Sequence, residues 1–125
     1  MTENEIATMI VDASYKVHKT LGPGLLESAY EAVLAYELER RDAVVSRQQV
    51  IPVVYESVRL EEGYRADLVV NGKVIVELKS VEKIVPLHKK QLLTYLKLAN
   101  MRLGLLINFG DNLIKDGITR VVNGL

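Results

Sequence analysis

"RADLVVNGKVIVELKS", residues 65–80, holds two β-rich runs on either side of Asn71-Gly72. Asn-Gly between such runs is a strong short-range hairpin signal. A two-residue turn would pair Val70 with Lys73 and Asp67 with Val76, and paired residues share a face. Both faces would then mix apolar and charged side chains. One extra residue, as a three-residue loop or a β-bulge, reverses the parity. Leu68, Val70, Val74, Val76 and Leu78 then form one wholly apolar face. Asp67, Val69, Lys73, Ile75, Glu77 and Lys79 form the other. The apolar set selects this register, which also brings two carboxylates and a lysine together.

The 125 residues are expected to form a single domain, residues 1–125, long enough for a true core. Hydrophobic residues make up 49% and charged residues 26%, an ordinary globular balance. Apolar runs are short and broken by charges, which speaks against a transmembrane helix and a membrane partner. The opening "MTENEIATMI" lacks the basic n-region of a secretory signal. No cysteine is present, so disulfides and thiolate metal sites are excluded. A cytoplasmic location is expected.

The net charge is zero but unevenly spread. Residues 1–42 carry 4 Lys and Arg against 8 Asp and Glu, a net of −4. Residues 65–125 carry 10 against 5, a net of +5. A protein that coats nucleic acid through charge alone is usually basic overall. Here only a local phosphate-binding patch in the C-terminal half is accommodated.

Around the hairpin the periodicities change. Thr2-Glu3-Asn4-Glu5 fits a capping box, and Ile6, Ile10, Ala13, Val17 and Leu21 recur at helical spacing, predicting a helix over 2–20. "LGPG" at 21–24 must end it. A second helix is expected over 25–41, with Leu26, Tyr30, Val33, Leu34 and Leu38 on its apolar face. Residues 43–57 read as a strand whose Pro52 implies an edge or a bulge. "VRLEEGY", 58–64, reads as a turn. Pro86 is placed to open a third helix over 86–100. Residues 102–109 form a short apolar strand, and "NLIKDGITRVVN" reads as a final hairpin around Asp116-Gly117. The expected fold is α/β, a mixed central sheet flanked by helices in the order ααβββαββ.

Two carboxylates on one strand face suit a hard divalent cation such as Mg²⁺ or Mn²⁺, with the Leu78 carbonyl as a further oxygen ligand. Lys79 could then hold, or help deprotonate, a metal-bound water. The bland alternative is a surface Lys79–Glu77 pair with Asp67 solvated. Glu27 falls in the first turn of the second helix, where a carboxylate also complements the helix dipole. Gln91 and Tyr95 are four residues apart and share a helix face. His88 lies on the same stripe, followed by Lys89 and Lys90, which could meet phosphates or simply face solvent. His18 is either a polar group near the site or a partly buried histidine.

Asp67 followed by Glu77-Leu78-Lys79 resembles the D-x(n)-E-x-K core of the PD-(D/E)XK nuclease superfamily. "GLLESAY", 24–30, reads G-x-x-E-x-x-Y through Gly24, Glu27 and Tyr30, the signature of the GxxExxY proteins within it. The resemblance runs from the first helix to "DGITRVV". Ala66 stands where the superfamily has a proline before its first acid. The resemblance implies a restriction-endonuclease-like core of the RecB-like branch and an Mg²⁺- or Mn²⁺-dependent nuclease acting on nucleic acid, DNA favoured. It implies Asp67, Glu77 and the Leu78 carbonyl as metal ligands and Lys79 as the catalytic lysine. Glu27 completes the carboxylate set as a ligand or supporting base. Gln91 and Tyr95 form a Q-x-x-x-Y element that supports lysine or substrate. Tyr30, one turn after Glu27, is either core or a hydrogen-bond partner of the site, and on their helix positions Tyr30, His88, Lys89 and Lys90 are candidate weaker substrate contacts.

Two other readings stand beside this one. A catalytically silent module could bind nucleic acid or a protein partner on the same fold, and a small phosphoesterase could act on soluble diesters. The apolar "VIPVVY" near an edge leaves a homodimer open.

Overall fold

The 65–80 hairpin has the register that its apolar residues demand. In the computed structural model, which describes residues 1–61 and 63–125, strand β4 (Arg65–Val70) runs antiparallel to β5 (Val74–Lys79). Val70 pairs with Val74, Val69 with Ile75 and Leu68 with Val76. Asn71, Gly72 and Lys73 make a three-residue loop, with Asn71 and Gly72 at φ 52° and 64°. The Asn71 side chain also accepts the Val44 N–H at 2.8 Å, which ties the loop to the segment that follows the second helix.

Among the described residues the central sheet has five strands. These are β4 and β5 with β1 (Val45–Val50), β6 (Leu103–Asn108) and β7 (Ile118–Val122), in the spatial order β1-β4-β5-β6-β7. β5 and β6 are parallel and the other neighbours antiparallel. Helix α1 (Glu3–Leu21) and helix α2 (Glu27–Arg40) cover one face; helix α3 (Pro86–Ala99), which links β5 to β6, covers the other.

The parity of the hairpin explains this layering. Leu68, Val70, Val74, Val76 and Leu78 pack in the core beneath α1 and α2 with Ile6, Ile10, Leu34 and Leu38. Val69 and Ile75 join Leu92 and Leu96 of α3 on the opposite side. Helices and the five strands follow the expected order ααβββαββ.

Two expectations change. The run 43–57 is interrupted at Ile51-Pro52, where Pro cannot donate to a ladder. β1 stays on the edge of the main sheet. β2 (Val53–Tyr55) instead pairs with β3 (Val58–Leu60) in a separate two-stranded ribbon. The stretch 58–64, expected to be only a turn, therefore begins with a strand; its Glu62 lies outside the described residues. The second change is at the C-terminal end. The first arm of the expected hairpin is a 3₁₀ turn, Ile114–Gly117, and β7 pairs with β6. A side chain at Gly117 would run into the Asn108 carbonyl, so the chain turns tightly against the end of β6.

The capping box of α1 forms as expected: Thr2 Oγ1 accepts from Glu5 N at 3.2 Å and Glu5 accepts from Thr2 N at 2.8 Å. Gly22, at φ 69°, ends the helix. Tyr30 then locks the following loop. Its hydroxyl donates to the Gly22 carbonyl and accepts from Leu25 N at 3.1 Å, and its ring stacks on Phe109 at 4.5 Å between centroids. Tyr30 is fully buried, so the expected substrate contact is corrected to a structural one.

Gly104 lets α3 approach the sheet. A Cβ there would lie 2.9 Å from Leu92 Cδ1. Gly104→Val should therefore cost about 1–3 kcal/mol by overpacking. Urea unfolding measures this, and an unchanged midpoint would show that α3 does not press on Gly104.

Candidate active site

The pairing of β4 with β5 stops at Leu68–Val76, and side chains take over where the strands diverge. Asp67 N donates to Glu77 Oε2 at 2.9 Å, and Leu78 N donates to Asp67 Oδ2 at 2.8 Å. Each carboxylate thus bridges to the backbone of the other strand. The hairpin register brings Asp67 and Glu77 together as expected, and the splaying sets them between the strands.

Three further residues complete the environment. Tyr64, just before β4, donates its hydroxyl to Glu77 Oε1 and stacks on Tyr95 of α3. Gln48 of β1 has φ 51° and lies at the gap in the β1–β4 pairing, between Arg47–Leu68 and Gln49–Ala66. A left-handed backbone at a glutamine is strained, and such residues concentrate at functional sites. From this position Gln48 Nε2 donates to Asp67 Oδ1 at 3.2 Å and to Glu31 Oε1. Glu31, one turn after Glu27 on α2, is buried and holds Arg47 at 3.0 Å. Glu27, Ser28, Glu31, Gln48 and Asp67 line one pocket of about 290 Å³.

The electrostatics follow from burial. Glu77 is 8% exposed, and its carboxyl is pushed up to about 7. Desolvation is the main cause; the Asp67 N–H and the Lys79 charge oppose it, while Glu27 and Glu31 add to it. Asp67 is also raised, chiefly by burial, against the Leu78 N–H and Gln48. Tyr95 is raised by burial and by the Glu77 charge.

This has a measurable consequence. A carboxyl with a raised folded pKa binds more protons folded than unfolded between about pH 4.5 and 7. Its contribution to stability is full below that window and is lost as pH rises through 7. Metal-free protein should lose at most about 3 kcal/mol across the window from this group. Glu77→Gln should flatten the profile, read as urea midpoints at pH 5 and pH 8 in EDTA. An identical pH dependence in the variant would contradict the burial argument.

The end of β5 is held by Asn108, which lies opposite Lys79 in the parallel β5–β6 register. Its Nδ2 donates to the Val81 carbonyl at 2.8 Å and to Asp111 Oδ2 at 3.0 Å. Its Oδ1 accepts from Val81 N at 3.0 Å and Gly110 N at 3.1 Å. Ser80 Oγ donates to the Leu25 carbonyl at 2.6 Å, joining the same strand end to the loop before Glu27.

The other expected residues are less central. His88 is half-buried at the start of α3, where its Nδ1 accepts from Val85 N at 3.3 Å. Lys89 lines a separate pocket with Lys83 and Asp116, and Lys90 is exposed. Gln91 is exposed on α3, one turn before Tyr95. His18 is buried, its Nε2 2.8 Å from the Asp111 carbonyl oxygen.

Glu31, Gln48, Tyr64 and Asn108 escaped the sequence reading. Glu31 had a usable signal, its i+4 spacing from Glu27. Nothing local marked the other three.

The donor chemistry fits a hard divalent cation. Asp67 and Glu77 supply carboxylate oxygens between the two strands; burial chiefly raises Glu77, the Glu27 and Glu31 charges add to it, and the Lys79 charge opposes it. Among the described residues no three of Asp, Glu, His or Cys stand as a preformed metal cluster.

A mixed sheet with helices on both faces, carrying two acids and a lysine where adjacent strands part, defines a restriction-endonuclease-like protein. The family follows from comparison of the whole chain: it belongs to the PD-(D/E)XK nuclease superfamily, whose family model matches residues 4–121. No curated protein and no solved structure matched the chain. Among the described residues no helix is long and apolar enough to cross a membrane.

Proposed function

We propose that this chain is a GxxExxY-type nuclease that hydrolyses phosphodiester bonds of nucleic acid, DNA favoured, with Mg²⁺ or Mn²⁺. The observation that carries this is the reciprocal bridging of Asp67 and Glu77 at the parting strand ends, with Lys79 two residues on. Asp67, Glu77 and the Leu78 carbonyl would hold the cation. When bound, it would polarise the phosphate and lower the pKa of water. Lys79 orients the attacking water and offsets the charge that builds on the phosphate. Glu27, with Glu31 one turn on, assists as a further carboxylate. Tyr95 acts through Tyr64, which holds Glu77 in place, and Gln91 faces the substrate from α3.

A silent binding module is the second reading. It is favoured by the side chains that occupy the other carboxylate oxygens, Tyr64 on Glu77 Oε1 and Gln48 on Asp67 Oδ1. Labelled linear and circular DNA and RNA, incubated with Mg²⁺, Mn²⁺ or EDTA, separate the two. Loss of substrate with metal and its retention in EDTA is expected. A gel shift without cleavage would replace the nuclease with the module, and turnover of soluble diesters alone would indicate a small phosphoesterase.

A further inference from the structure

A concave pocket of about 710 Å³ lies at the C-terminal end of α1, beside the 3₁₀ turn. Its walls combine two chemistries. Tyr15, Pro23 and Leu113 give it an apolar floor, with Tyr15 44% and Leu113 57% exposed. Lys16, Lys19 and Lys115 add basic side chains, and among the described residues no acidic side chain lines it. Lys16 pairs with Glu37 at 3.2 Å, whereas among the described residues Lys19 and Lys115 form no ion pair. Tyr15 and Lys19 are four residues apart and so project from one helix face.

The pocket is linked to the candidate active site by a loop and by a chain of hydrogen bonds. Gly22 and Pro23 belong to the loop that runs on to Leu25 and Glu27. Ser80, next to Lys79, bonds to Leu25 of that loop. His18 in the pocket wall meets Asp111, whose carboxylate is held by Asn108 opposite Lys79.

We propose that this pocket binds a single-stranded stretch of nucleic acid flanking the phosphate to be cut, an inference that rests on the nuclease reading. A base stacks on Tyr15 over the apolar floor, and the adjoining phosphates meet Lys19 and Lys115. A duplex would turn only its phosphates to this surface and leave the apolar floor unused. A single strand offers unstacked bases and phosphates together.

The test uses the full chain with a labelled polythymidine strand. Lys19→Ala with Lys115→Ala should raise KM about tenfold or more, and should lower the slope of log affinity against log salt by about 0.7 for each lysine removed. Tyr15→Ala should weaken binding by about tenfold, and Tyr15→Phe should restore it, since stacking needs the ring and not the hydroxyl. Hydrolysis of bis(4-nitrophenyl) phosphate, too small to reach the pocket, should be unchanged in all of them. Cleavage and binding of the strand at wild-type levels by these variants would overturn the pocket's role while leaving the nuclease reading intact. A wild-type protein that neither binds nor cuts any strand would overturn both. Binding without cutting, weakened by the same variants, would keep the pocket and reject the nuclease.

Discussion

Lys79→Ala should lower metal-dependent cleavage by about a thousandfold, a loss in the range expected when a group that positions or deprotonates the nucleophile is removed. Lys79 is half-buried at the end of β5, and its charge acts on both Asp67 and Glu77. Those interactions belong to the site and not to the core, whose apolar residues the substitution leaves in place. The thermal midpoint should therefore move by only a few degrees. Lys79→Met, which keeps the aliphatic stem without the charge, should be as inactive as alanine. Asp67→Asn should also be inactive, for a different reason: metal-induced stabilisation should vanish in it and persist in Lys79→Ala. Differential scanning fluorimetry with and without Mg²⁺ or Mn²⁺ separates the two defects. Turnover near the wild-type rate by Lys79→Ala would sink the assignment of the lysine.

Asn108→Leu should cost roughly 3–5 kcal/mol of stability, because leucine keeps the volume and removes every polar contact. The amide makes four hydrogen bonds, to both backbone groups of Val81, to Gly110 N and to Asp111. Asn108 is fully buried, and its loss leaves three backbone groups short of partners in a partly closed environment. The same bonds secure the segment after Lys79, whose carbonyl also accepts from Phe109 N at 2.8 Å. Activity should consequently fall more than the lost folded fraction explains. Asn108→Asp, which keeps the acceptor but sets a buried carboxylate oxygen against the Val81 carbonyl and the Asp111 carboxylate, should cost at least as much as leucine. Chemical unfolding and single-turnover cleavage at a temperature where all variants are folded provide the check; a loss below about 1 kcal/mol for leucine would mean that the clamp is not rigid.

Much of the fold was legible because it depends on short-range alternation. Five apolar residues at even positions from Leu68 to Leu78 allow only one hairpin parity, and the apolar face of that parity must be covered. The capping box at Thr2, the break at Gly22 and the start at Pro86 are likewise local effects of backbone chemistry. The misread segments are those where local signals were weak or conflicting. Val58–Leu60 is a strand only because Val53–Tyr55 lies beside it. Residues 114–117 turn as a 3₁₀ helix that ends against β6, where a Cβ at Gly117 would meet the Asn108 carbonyl.

Sequence alone determined the hairpin register and, through it, that Asp67 and Glu77 would meet with Lys79 close by. It could do so because strand parity is a two-residue period that any ten residues display. Tertiary structure alone decided the company those residues keep. Gln48 reaches Glu31 across 17 positions and Asp67 across 19, and Tyr64 reaches Glu77 across 13. It also set Tyr30 in the core and engaged His88 Nδ1 at the start of α3. Such contacts depend on how helices dock on a twisted sheet, and packing of that kind leaves no period in the chain to read.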